Sequence, residues 1–110
     1  MIKINEYQKL KTYPQLKLLF LWYGCIAFET GNTQVAIDEY FKDKFGPKHT
    51  TEIFGEMRTL PISKAKYTKE QMRHYLNAID TDVSTEGIRL LYPDDMHWES
   101  FEEKYKDYIG

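Results

Sequence analysis

The sequence predicts a mostly helical α+β fold: three to four helices around a central apolar helix, with a short β-hairpin between the second and third helices. Three observations lead there. The run Leu18 to Phe28 contains only apolar residues and one glycine, so no polar face is left for solvent. Two later stretches, Ile37 to Phe45 and Met72 to Val83, repeat apolar side chains at helical spacing. Between them, Lys48 to Tyr67 carries Thr50, Thr51, Ile53, Phe54, Thr59 and Ile62 around Gly55, the composition of two short strands and a turn.

Each element has start and stop signals. Thr12 with Gln15 makes a capping-box pair, Pro14 suits a first helical turn, and Gly31 suits a stop, which predicts a first helix over about 13–30. Asn32 or Thr33 can cap a second helix carrying Ile37, Phe41 and Phe45 on one side, ended by Gly46-Pro47. Pro61 restricts the hairpin to a sheet edge. Thr68 with Gln71 is a second capping box, and Tyr67 with Met72 fits a hydrophobic staple. The stripe Met72, Tyr75, Leu76, Ile79 and Val83 then predicts a helix over 69–86, with Gly87 as its stop. Ile88 to Tyr92 reads as a short extended piece, Pro93-Asp94-Asp95 as a turn and N-cap, and Trp98, Phe101, Tyr105 and Tyr108 as a last helix or turn.

A length of 110 residues with 42% apolar and 15% aromatic composition suits one core, so residues 1–110 are read as a single domain. Cys25 lies inside the apolar run, where an inert buried thiol is the expectation, and a lone cysteine forms no intrachain disulfide. Met1 to Lys11 is polar and charged, unlike a secretory leader, and the apolar run falls well short of the roughly 20 residues that span a bilayer. The expected location is the cytoplasm.

Catalytic signals are sparse. His49, His74 and His97 are 25 and 23 residues apart, outside any zinc-ligand spacing. Asp94 and Asp95 fit a turn better than a magnesium site, and no phosphate-cradling or nucleophile-elbow motif occurs. No catalytic residue, metal ligand or cofactor is assigned, and the protein is expected not to be an enzyme.

Charge is more informative. The net charge is −2, but residues 1–41 hold four basic and four acidic side chains, residues 42–74 eight and four, and residues 75–110 three and nine. The middle segment offers Lys48, Arg58, Lys64, Lys66, Lys69 and Arg73 as phosphate partners and Tyr67 as a stacking ring, interleaved with Phe54 and His74. Lys64 and Lys66 are expected on one side of an extended strand that runs directly into a helix N-terminus, whose free N–H groups favour anions. An ordinary solvated strand face explains the same residues.

The order of the segments resembles the NinB (Orf) family of phage recombination proteins, and the similar front part of some phage HNH nucleases. Three blocks carry the resemblance. Tyr13-Pro14-Gln15-Leu16-Lys17 to Trp22, followed by Glu29-Thr30-Gly31, is like the family's Gln-x-Lys helix and its stop. Ala36 to Phe45 is similar to the helix that follows. Ile62-Ser63-Lys64 through Tyr67 to Met72, then Tyr75 to Ile79 and Gly87-Ile88-x-Leu90 to Pro93-Asp94, looks like the family's strand, helix and Gly-Ile-x-Leu-Pro-Asp ending. The blocks span about 13–95. The resemblance implies a single-stranded DNA-binding accessory protein, often a homodimer, that assists recombination or replication proteins. Two positions depart from it: only Met1 to Thr12 precedes the first helix where the family has a β-rich segment, and Ser63-Lys64 stands where a Ser-Thr pair is usual. The nuclease reading fails because no Cys-x-x-Cys or His-rich segment follows. The alternative is a protein–protein interaction module without nucleic-acid binding, using the acidic C-terminal third with Trp98, Tyr105 and Tyr108.

Overall fold

The computed structural model describes residues 4–106, with side chains from Gln15 onward. The elements in chain order are α1 (Ile4–Thr30), α2 (Gln34–Phe45), β1 (Lys48–Ile53), β2 (Glu56–Pro61), a 3-10 turn (Lys64–Lys66), α3 (Lys69–Thr85) and α4 (Trp98–Tyr105). The mostly helical α+β architecture with a hairpin between α2 and α3 is therefore present as the sequence predicts.

Helix α1 is the hub. Leu19 and every residue from Leu21 to Ala27 are buried, which in a helix means burial around the full circumference. Helices α2, α3 and α4 all pack on it. Ile37 and Phe41 come from α2, Met72, Tyr75, Leu76, Ile79 and Val83 from α3, and Phe101 and Tyr105 from α4. The extended segment 88–92 crosses α1, where Trp22 Nε1 donates to the carbonyl of Leu91 at 2.9 Å and the Trp22 and Tyr92 rings meet edge to face. Tyr92 in turn donates its hydroxyl to Asp80 Oδ2 at 2.7 Å, tying that segment to α3. Cys25 is buried in this core, and burial pushes its thiol pKa up, which keeps it protonated and inert.

Two boundaries need correction. Helix α1 begins at Ile4, so Thr12 and Pro14 lie in its interior and the expected capping box does not start it. Glu6, Gln8, Lys9, Leu10 and Lys11 before Pro14 are good helix formers, and the one i→i−4 bond that a proline removes does not end the helix here. At the other end, Asp95 does not cap α4: its carboxylate accepts from the Tyr92 N–H at 2.7 Å within the turn, and His97 occupies the N-cap. Tyr108 falls outside the described residues.

The strand expected to carry Lys64 and Lys66 stops at Pro61, and Ser63 instead starts a 3-10 turn by accepting from the Ala65 N–H, but the glycine stops and the second capping box are met. Gly31 and Gly87 have φ of +72° and +81°, and each is followed by an N–H that closes the helix end, Asn32 to Ala27 and Ile88 to Val83. The Thr68 hydroxyl accepts from the Gln71 N–H at 3.0 Å while the Gln71 side chain accepts from the Thr68 N–H at 2.9 Å, the reciprocal capping box. Replacing Thr68 by Ala should cost about 1 kcal/mol of stability, read as a lower urea midpoint at unchanged slope.

Candidate nucleic-acid interface

Helix α2 ends at Gly46, where the chain passes so close to the helix that a Cβ would lie 2.7 Å from the Lys42 carbonyl oxygen and 2.9 Å from the Tyr67 hydroxyl. Only glycine fits without moving backbone. Lys48 then folds back and donates Nζ to the Asp43 carbonyl at 2.8 Å, satisfying the negative end of α2.

From this point the hairpin leaves the helical body. Strands β1 and β2 pair antiparallel with Lys48 opposite Pro61 and Ile53 opposite Glu56, and no residue of either strand is buried. A radius of gyration of 15.7 Å, against roughly 13 Å for a compact chain of this length, fits elements that stand clear of the core. In register, His49, Leu60, Thr51, Arg58, Ile53 and Glu56 share one face, and Lys48, Pro61, Thr50, Thr59, Glu52 and Met57 share the other.

The turn is Phe54-Gly55, with φ of +51° and +82°, the two positive values of a type I′ turn. Glycine or asparagine adopts this conformation readily. For a phenylalanine it costs roughly 1–2 kcal/mol. The ring is nevertheless fully exposed, at 102% of the reference area, so no packing inside the chain offsets the strain. Ile53 and Met57, beside it, are exposed as well.

After β2, the Ile62 N–H donates to the Pro47 carbonyl at 3.0 Å and brings the chain back to the body. Here Lys64 enters an ion pair with Asp38 of α2, its ammonium 5.3 Å from the centroids of both the Phe20 and Tyr23 rings. Tyr23 donates its hydroxyl to the same Asp38 oxygen at 2.9 Å and so accepts from Tyr75, 2.6 Å away. Lys42 approaches the other Asp38 oxygen at 3.8 Å. Tyr67 is buried, with its ring edge to face on Tyr75 and its hydroxyl without a hydrogen-bond partner. Burial and the nearby Asp38 charge push its pKa up to about 12, and burial likewise raises Tyr23 and Tyr75.

The residues expected to bind thus divide into four groups. Lys66 and Lys69 are exposed. Lys48 and Arg58 are exposed on the arm, Lys48 spending its donors on α2 carbonyls and Arg58 pairing with Glu56 at 2.9 Å. Arg73 is exposed and pairs with Glu70. Lys64 and Tyr67 face inward: the Asp38 carboxylate holds the first, and the staple position before the α3 cap buries the second, so neither offers a free group to a ligand. The α3 N-terminus is also less open to anions than the sequence implies, because the capping box takes the Gln71 N–H and Glu70 places a carboxylate in the first turn. Phe54 completes the surface. Its sequence signal was an aromatic in a two-residue Phe-Gly turn between β-runs, whereas the Lys64–Asp38 pairing has none.

A second concavity, about 710 Å³, lies between the end of α1, α2 and the end of α3. Ile26, Ile37, Phe41 and Val83 contribute to its floor, and Glu29, Lys44, Asp82 and Glu86 to its rim. Among the described residues no cluster of His, Cys, Asp and Glu side chains could hold a metal ion, and no helix is long and apolar enough to cross a membrane. Comparison of the chain with family models, curated proteins and solved structures finds no match.

The tyrosine–aspartate knot should make the fold sensitive to alkali. Tyr23, Tyr67 and Tyr75 have pKa values raised above the unfolded value of about 10, so the folded state binds more protons there and stability is complete below pH 10. It should then fall as pH rises through 10 towards the folded values, by up to about 1.4 kcal/mol per pH unit for each group. Ultraviolet titration should show part of the tyrosine absorbance change arriving only with unfolding. Tyr23→Phe, which removes one donor from Asp38 and leaves the Tyr75 hydroxyl without its acceptor, should cost about 1–2 kcal/mol in urea denaturation at neutral pH.

Proposed function

We propose that this chain is a single-stranded DNA-binding accessory protein of phage or mobile-element recombination, like the NinB (Orf) family, working as a homodimer beside recombination or replication proteins. One observation carries the reading: a hairpin arm excluded from the core presents a fully exposed ring at its tip, and its base leads into the exposed cations Lys66 and Lys69. Cations for phosphates and a ring face for a base are the two contacts that single strands require. Of the eight basic residues in 42–74, Lys42, Lys44 and Lys64 pair with Asp38 or Asp82 from outside that segment, so the surplus over its four acidic residues rests on the exposed Lys66 and Lys69.

The groove between α1, α2 and α3 supports a second reading, a protein–protein module, since an apolar floor with Glu29 and Glu86 at the rim, beside a Lys44–Asp82 pair that is already neutral, suits an apolar segment of a partner with a basic residue. The two readings place the contact on different surfaces.

Fluorescence anisotropy with labelled oligonucleotides at two or more salt concentrations separates them. The single-strand affinity should fall steeply with salt, and Lys66→Ala with Lys69→Ala should reduce the slope of log K against log salt by about 1.4, from roughly 0.7 per phosphate contact. Salt-independent or undetectable binding contradicts the proposal. Light scattering of the purified chain, expected at twice the monomer mass, tests the dimer.

A further inference from the structure

Phe54 narrows the substrate. The arm is electrically balanced, with Lys48 and Arg58 against Glu52 and Glu56, and the two carboxylates occupy the pairs next to the turn. Phosphate is repelled there. The uncompensated cations Lys66 and Lys69 lie beyond the base of the arm, about 20 Å from the tip for six residues at roughly 3.3 Å each. The tip is built to meet bases, and the body to meet phosphates.

A single ring stacks on a single base face. The other large exposed apolar side chains of the arm, Ile53, Met57 and Leu60, carry no ring, the His49 imidazole stands at the base five residues from the tip, and Tyr67 is buried, so the arm offers no continuous track of rings for a strand. Inserting one ring into a stacked strand or duplex opens a step, and that cost is at least as large as the roughly tenfold or greater gain in affinity from stacking. At the end of a duplex a base-pair face is already open. There the gain comes without the cost.

Resting on the proposed DNA-binding function, we infer that the arm recognises the junction between duplex and single strand, with the Phe54 ring capping the terminal base pair while Lys66 and Lys69 hold the phosphates of the single-stranded tail. This explains why a strained, unpacked phenylalanine occupies a turn position where asparagine would cost less.

The test compares one tail sequence as a free single strand and as an overhang on a hairpin duplex, using the full chain. The protein should prefer the overhang by about tenfold, and 2-aminopurine in the terminal pair should lose fluorescence on binding. Phe54→Asn, which suits the type I′ turn, should bring the preference below about twofold and leave the salt slope unchanged, because it removes no phosphate contact. Phe54→Trp should keep the preference. Equal binding of the two substrates by the native protein, or a preference that survives in Phe54→Asn, overturns the junction reading and leaves the DNA-binding proposal standing. No binding to either oligonucleotide overturns both and turns the ring over to a protein partner.

Discussion

The Asp38 carboxylate organises this fold. One oxygen receives the Tyr23 hydroxyl from α1 and the Lys64 ammonium from the turn after the hairpin, while Tyr75 of α3 joins through Tyr23. No fully polar or charged residue among the described ones is classed as buried, so this knot sits at the margin of an otherwise apolar core. Apolar burial around α1 supplies most of the favourable free energy but is non-directional. The knot supplies direction, because it is satisfied only when three helices and the returning chain meet in one arrangement.

That placement also determines what the basic segment can offer. Lys64 neutralises Asp38 and lies over two aromatic rings, and Tyr67 is drawn beneath the start of α3. Their role is to anchor the base of the arm. With the base held, the hairpin can extend without packing of its own, although an isolated two-stranded ribbon is only marginally stable in water. The exposed cations of this segment whose charge no neighbour takes up, Lys66 and Lys69, flank that anchor. Strain at Phe54 is then carried by a ribbon fixed at Lys48, Pro47 and Ile62.

Local chemistry made much of this legible from sequence. The Thr68–Gln71 box, the Gly31 and Gly87 stops and a hairpin within 48–67 depend on neighbours within a few residues, and the structure has each in place, with the strands ending at Pro61. Readings that needed long-range information fared differently. The Lys64–Asp38 pair joins residues 26 apart, and no periodicity announces it. Tyr67 carried two conflicting signals, a staple beside a helix cap and an aromatic among lysines, and burial decided for the staple. The start of α1 was misplaced because Thr12, Pro14 and Gln15 imitate a helix beginning inside a longer helix.

Whether the arm and its base form the working surface can be read directly by nuclear magnetic resonance of the labelled protein titrated with a short single strand. Amide shifts should concentrate at 52–58 around the tip and at 66–69, sparing Ile26, Ile37, Val83 and Ile88 of the groove. Shifts clustered at those groove residues, or no shifts at all, would contradict a nucleic-acid interface on the arm.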